Sequence, residues 1–268
     1  MIPRVVIQTA SPGQLHNELI CAANQKLKEN NPNWKFLQFS DADCDRFMET
    51  HFSGIIYSAY KRINKQYGAA RADLFRYCAT YVHGGIYLDI KSTATSKLDS
   101  IIQESDSYLL SQWDNRPGEK HYNWGNHAEL REVPGGEFQQ WFIAASPRNP
   151  ILKEIIKLVH KNIVLFPDSV ISQYGKNAAL QLTGPIPYTI AITQMINQGY
   201  ISNGHDYRYI SSEREGLIYS IFEINTQEQI FELTGQIIEG QQLKASASSY
   251  AMRHYSNNNT PIVDLRNN

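Results

Sequence analysis

An α/β fold is what the sequence predicts. Strand-like and helix-like segments alternate through most of the chain. The 268 residues, 42% of them hydrophobic, suffice for one large domain with a substantial buried core. No internal repeat or low-complexity tract breaks the alternation. One domain over 1–268 is therefore expected.

Val5-Val6-Ile7-Gln8 is a short apolar run closed by Ser11-Pro12-Gly13, which predicts a buried strand and a turn. From Gln14 to Lys28, Leu15, Leu19, Ala22, Ala23 and Leu27 recur at helical spacing, and Asn30-Asn31-Pro32-Asn33 ends that helix. Trp34 to Phe39 reads as a second strand, and Ser40 as the N-cap of a helix carrying Phe47 and Met48. Leu74, Tyr77, Cys78 and Tyr81 form one buried helical stripe. Gly84-Gly85 stops this helix, because glycine accepts the left-handed conformation without Cβ strain. A strand from Ile86 to Ile90 follows, and further strands are expected at 108–111 and 138–145. Helices are expected from Asn149-Pro150 and from Gly184-Pro185 to about Asn197. The stretch 114–136, rich in Asn, Gly, His and Glu, is expected to be a long surface loop, with His121 and His127 on its surface. The polar segment 257–268 is expected to be a mobile tail.

The formal net charge is -1 and the pI about 6.7, so no global field draws the chain onto nucleic acid or an anionic membrane. Cys21, Cys44 and Cys78 are odd in number and far apart, which argues against a disulfide framework or a zinc site. The N-terminus lacks the pattern of a signal peptide, and no window reaches the apolar length of a membrane span. These readings point to a cytoplasmic protein, with attachment at a membrane periphery left open. Oligomeric state is not legible.

The chemistry gathers between Arg71 and Lys91. Asp73 and Arg76, three apart, share a helix face, and a carboxylate held beside a guanidinium can bind sugar hydroxyls or phosphate oxygens. The same pair also fits a plain surface ion pair. Alternation along the next strand puts Tyr87, Asp89 and Lys91 on one face. Asp89 then stands at the carboxyl end of a strand, where ligands bind in open α/β sheets and where an acid often holds a divalent cation. An Asp that merely caps a loop would look the same.

Ala72-Asp73-Leu74-Phe75-Arg76-Tyr77 followed by Tyr81-Val82-His83-Gly84-Gly85-Ile86-Tyr87-Leu88-Asp89-Ile90 resembles the DXD-containing glycosyltransferases, in particular their mannosyltransferase and capsular polysaccharide group. The glucosylating domains of large clostridial toxins carry a related segment. Ile2 to Thr9, Asn31 to Phe36, Phe142 to Pro150 and Thr183-Gly184-Pro185 are similar to further segments of that family. The resemblance implies a GT-A fold, a Rossmann-like mixed sheet flanked by helices. It implies a UDP-sugar or GDP-sugar donor, a glycan or other hydroxyl acceptor, a manganese or other divalent ion, and retention of anomeric configuration. It sets Gln8, Thr9 and Tyr87 near the nucleotide and Asp73 and Arg76 on the donor sugar or its phosphates. It makes Asp89 the first acid of the DXD motif.

The motif departs from Asp-X-Asp: it reads Asp89-Ile90-Lys91. Three explanations stay open. The metal is held by Asp89, diphosphate oxygens, water and a late histidine, His254. Or the Lys91 ammonium replaces the cation as a point charge. Or catalysis is lost and the fold binds carbohydrate or nucleotide sugar only. A phosphohydrolase would need more clustered acids or histidines than surround Asp89. For the acceptor, Trp113 and Trp124 are read either as sugar-binding faces or as packing anchors.

Overall fold

The computed structural model describes residues 1–166, 174–224, 226–237, 258 and 260–264. The strands are β1 (Val5–Thr9), β2 (Lys35–Phe39), β3 (Gly85–Leu88), β4 (Thr93–Ala94), β5 (Tyr108–Leu110), β6 (Phe142–Ala145), β7 (Arg208–Tyr209) and β8 (Leu217–Ile218). The helices are α1 (Pro12–Leu15), α2 (Glu18–Asn30), α3 (Asp41–His51), α4 (Ile55–Arg62), α5 (Gly68–His83), α6 (Leu98–Ile101), α7 (Pro150–Val164), α8 (Gly175–Leu182), α9 (Pro185–Asn197) and α10 (Gln227–Thr234).

Six strands form one sheet in the order β2-β1-β3-β6-β5-β7. β1 is parallel to β2 and β3, β6 runs antiparallel to β3 and β5, and β7 is parallel to β5. The expected mixed sheet flanked by helices is thus present. β4 and β8 make a separate antiparallel ribbon. The chain leaves β1 for β2 on one side, then returns to β3 on the other. Between β1 and β3 the winding reverses, and in open α/β sheets ligands bind outside the carboxyl ends of strands at such a point.

Local chemistry explains the elements around this switch point. The Ser40 hydroxyl accepts from the Asp43 N–H at 3.2 Å while the Asp43 carboxylate accepts from the Ser40 N–H at 3.0 Å, a reciprocal cap that starts α3. Asn17 caps α2 through Ile20 N–H at 3.1 Å, which splits the helix expected from Gln14 into α1 and α2. Gly85 ends the α5–β3 corner at φ 94, and a Cβ there would collide with the Val5 carbonyl of the neighbouring strand. Along β3, Tyr87 packs with Leu74 and Tyr77 on one face, while Ile86 and Leu88 join Val6 and Phe142 on the other.

Two strands are shorter than expected. β3 stops at Leu88 because Asp89 to Ser92 fold into a turn closed by Ser92 N–H to Asp89 C=O at 2.8 Å. Residues 138–141 stay outside β6, with one bridge from Phe138 to Gln112. The mobile tail expected at 257–268 does not hold where the tail is described. Val263 bridges Ile63, the Asn64 N–H donates to the Ile262 carbonyl at 2.8 Å, and Ile262 and Val263 are fully buried. Two apolar side chains among polar neighbours anchor it. Among the described residues, no helix is long and apolar enough to cross a membrane.

Candidate active site

α5 and the end of β3 bring Asp73, Arg76, Tyr87 and Asp89 together near the winding reversal. Arg76 Nη2 lies 3.2 Å from Asp73 Oδ1 and 3.1 Å from Asp89 Oδ1. Its Nη1 donates to the Gln140 carbonyl at 2.8 Å, and its plane lies 4.7 Å from the Tyr87 ring centre. Asp73 accepts from the Gln140 amide at 3.1 Å and from the Thr183 hydroxyl at 3.0 Å. The Tyr77 hydroxyl donates to the Thr183 carbonyl at 2.8 Å, so α5 is tied to the turn before α9. Thr9 of β1 and the Tyr87 hydroxyl meet at 3.1 Å, and Tyr87 reaches Asp89 Oδ1 at 3.3 Å. A surface ion pair between Asp73 and Arg76 is ruled out, since both side chains are only 7% exposed.

The electrostatics follow from this enclosure. Burial pushes the Asp73 carboxyl up, against the pull of Arg76, Gln140 and Thr183. Burial pulls the Arg76 guanidinium down, but Asp89, Tyr87 and Asp73 outweigh it and raise it above its ordinary value. Arg76 is therefore a fixed cation shared by two acids. Asp89 is the open member, with its side chain 23% exposed against 7% for the other two.

The turn after β3 is clamped from two sides. From behind, Gln8 donates to Asn24 Oδ1 at 2.7 Å, and Asn24 donates to the Ile90 carbonyl at 3.0 Å. Gln8 thus lies on the other face from Thr9 and supports the turn through Asn24, where a place beside the nucleotide was expected. From the front, Ile221 N–H donates to the Lys91 carbonyl at 2.9 Å and Ser92 donates to the Tyr219 carbonyl at 2.6 Å. Lys91 belongs to the turn and not to the strand, so alternation does not place its side chain. Its ammonium sits 3.8 Å above the centre of the Tyr219 ring.

Tyr219 opens an aromatic wall: Trp113 at 5.0 Å, Trp141 at 5.7 Å and Trp124 at 5.9 Å from its ring. Burial, and after it the Asp89 charge, raises the Tyr219 phenol above its ordinary value. The long irregular loop 114–136 is present with a single helical turn at Ala128–Leu130, and it is stitched from within. Glu137 accepts from Trp113 Nε1 at 2.7 Å and meets His127 Nε2 at 2.6 Å. Contrary to the surface placement expected for both histidines, His121 is 2% exposed and His127 half-buried. His121 wedges between Trp113 and Trp124 and faces Glu213 at 3.1 Å and Glu223 at 3.5 Å. Trp113 is a packing anchor, while Trp124 is 42% exposed.

Residues 17–108 match the family described as "Glycosyltransferase sugar-binding region containing DXD motif". This segment is similar to a glycosyltransferase sugar-binding region. It holds Asp73, Arg76, Tyr87, Asp89 and Lys91, and the resemblance read from the motifs stands. The initiation-specific α-1,6-mannosyltransferase of Candida albicans is 26% identical over 65% of this chain and 47% of its own length. The enzyme of the same name from Schizosaccharomyces pombe is 24% identical over 74% of this chain and 50% of its own. The chain spans about half the length of these relatives. The ligand-free glycosyltransferase domain of the YGT toxin shares the fold, with a TM-score of 0.52, 9% identity, and coverage of 92% of this chain and 89% of that one.

DXD glycosyltransferases generally use a divalent cation with a nucleotide-sugar donor. Around this sugar-binding region the donor set does not fit such an ion. Asp89 offers one carboxylate, and its Oδ1 already faces Arg76 and Tyr87. A protonated Lys91 has no lone pair to give. Among the described residues, no group of three His, Cys, Asp or Glu side chains could hold a metal ion. His254 lies outside the described residues.

Reading the sequence missed Gln140, Thr183, Asn24, Tyr219 and Glu137 as parts of the site. Thr183 had a signal in its Thr-Gly-Pro turn. The others sit 16 to 127 residues from their partners, with no local pattern to mark them.

Proposed function

We propose that this chain is a glycosyltransferase that moves a hexose from a UDP-sugar or GDP-sugar to a hydroxyl of a glycan, with retention of anomeric configuration. The observation that carries the reading is the Asp73–Arg76–Asp89 cluster at the winding reversal between β1 and β3. The α-1,6-mannosyltransferase names of both fungal relatives favour mannose as the sugar.

The bond between the anomeric carbon and the diphosphate oxygen breaks through an oxocarbenium-like state. The acceptor hydroxyl oxygen forms the new bond from the same face, and its proton passes to the departing diphosphate. No enzyme nucleophile is required. Fixed positive charge beside the leaving group lowers the barrier, because it meets negative charge that grows only as the bond breaks. Asp73 orients sugar hydroxyls with its remaining acceptor capacity. Asp89, the exposed acid, faces the donor, and Thr9 with Tyr87 lines the nucleotide side. The exposed face of Trp124 serves the acceptor sugar, since an aromatic ring offers an apolar plane to the C–H face of a pyranose.

A nucleotide-release screen over UDP- and GDP-sugars, with glycan acceptors present, tests this reading. Wild type should release nucleoside diphosphate with at least one donor, and Asp89→Asn should lose that release. Calorimetric donor binding without any release would instead indicate a carbohydrate-binding protein. Free phosphate in place of nucleoside diphosphate would indicate a phosphohydrolase.

A further inference from the structure

We infer that this chain binds the diphosphate of its donor without a divalent ion, using Lys91 as the cation beside Asp89. The inference rests on the functional reading above and names how that same site handles charge. Charge balance carries it. Asp73 and Asp89 are matched by Arg76 and Lys91, so the cluster is neutral. With an acid at position 91 it would carry an excess of two negative charges, which is what a divalent cation neutralises. With Lys91 such an ion meets no net attraction and one nearby positive charge.

The inventory of donors and acceptors agrees. A metal site is rich in oxygen lone pairs. Here the surplus is of donors. Buried Arg76 Nε and buried Trp141 Nε1 have no hydrogen-bond partner among the described residues. Trp141 belongs to the site's frame, since its carbonyl accepts from the Asp89 N–H at 2.9 Å and its ring packs 5.7 Å from Tyr219. Among the described residues Lys91 has no carboxylate partner, and its ammonium rests on the Tyr219 face at 3.8 Å. A ring face holds an ammonium more weakly than a phosphate oxygen does. The flexible four-carbon stem lets Lys91 exchange one for the other. Tyr219 is then a positioning residue that parks the cation next to Asp89.

Calorimetry on the full chain with UDP and with GDP, in EDTA and in manganese, decides the matter, beside the nucleotide-release assay under both conditions. At least one of the two nucleotides should bind wild type in EDTA within about twofold of its affinity in manganese. Lys91→Ala should weaken binding in EDTA by roughly tenfold or more, the size of a charge-assisted contact, and manganese should not restore it. Lys91→Asp should bind poorly in EDTA and recover with manganese, because it supplies the missing acid. Circular dichroism melts confirm that both variants are folded. Tyr219→Phe keeps the ring and should bind like wild type, whereas Tyr219→Leu should bind less tightly. Binding or release by wild type that requires manganese overturns the inference and leaves the glycosyltransferase reading standing. Unchanged binding in folded Lys91→Ala also overturns it. If neither nucleotide binds under any condition, no diphosphate site exists and both readings fall.

Discussion

The two flanks of Asp89 are built on opposite plans. On the α5 side, Asp73, Arg76, Gln140 and Thr183 form a buried polar network in which both carboxylates and the guanidinium have partners. On the β8 side, Lys91, Tyr219, Trp113 and Trp124 form an aromatic wall with one cation resting on it. An interlocked buried network is rigid, because moving any member leaves a buried charge unpaired. An aromatic wall tolerates exchange, because ring faces lose little when an ammonium departs. The first flank is suited to fixing the donor and the second to adapting around charge and acceptor.

That contrast breaks most sharply at Arg76. Arg76→Met should cost about 3–5 kcal/mol of stability, the range for removing one member of a buried ion cluster, measured by urea denaturation. It leaves Asp73 and Asp89 as two buried or half-buried acids without their cation. A loss below about 1 kcal/mol would mean that the ion cluster does not hold this side together. Next in size is Asp89→Asn, which should lower turnover about a hundredfold or more, because Asp89 holds Arg76 and the Tyr87 hydroxyl in place and a misplaced cation no longer meets the leaving group. Its stability should change far less than that of Arg76→Met, since Asp89 is the open member of the cluster.

The same contrast sets what a reader can extract from the sequence. Asp73, Arg76, Tyr87 and Asp89 were legible because helix and strand periodicity places them together within 17 residues, and because glycines at 84 and 85 mark the corner between the two elements. Lys91 was put on the Asp89 side by a logic that does not reach it. Alternation was extended past Leu88 into a turn that Asn24 and Ile221 hold from elsewhere in the chain. The aromatic wall was illegible because it joins residues 113, 124, 141 and 219 through tertiary packing alone. His121 misled for a related reason. Histidine in a polar loop reads as solvated, yet two glutamates and two tryptophans close over this one. Gln8, set near the nucleotide by the resemblance, fell on the expected strand, but its side chain is buried against Asn24.

A smaller effect separates support from contact on the β8 side. Gly125 has φ 72, and a Cβ there would lie 2.7 Å from Glu137 Cγ and 2.8 Å from Trp113 Cδ1. Gly125→Ala should therefore destabilise the chain by about 1–3 kcal/mol and loosen the loop that carries Trp124. Trp124→Ala removes the exposed ring itself. It should raise the acceptor KM about tenfold while donor hydrolysis stays close to wild type, with a lower melting temperature because Trp113 and His121 lose a ring contact. Equal losses in hydrolysis and transfer would assign Trp124 to packing instead.

The mildest probe compares how firmly the α5 side is closed, using the thiols as reporters. Cys21 is exposed, whereas Cys44 and Cys78 are buried. Burial pushes the Cys44 thiol up to about 12 and raises Cys78, on α5 two residues from Arg76, well above its ordinary value. A raised thiol stays protonated as pH climbs, and only the thiolate attacks a disulfide reagent. At pH 8 the native chain should react with one equivalent of a colorimetric disulfide reagent, at Cys21. The second and third equivalents should appear only with denaturant. In Arg76→Met the Cys78 equivalent should appear faster than in wild type, because opening of α5 becomes more frequent as local stability falls. Unchanged protection of Cys78 in that variant would separate the helix from the ion cluster and place the rigidity of this flank in the apolar packing of Leu74 and Tyr77 instead.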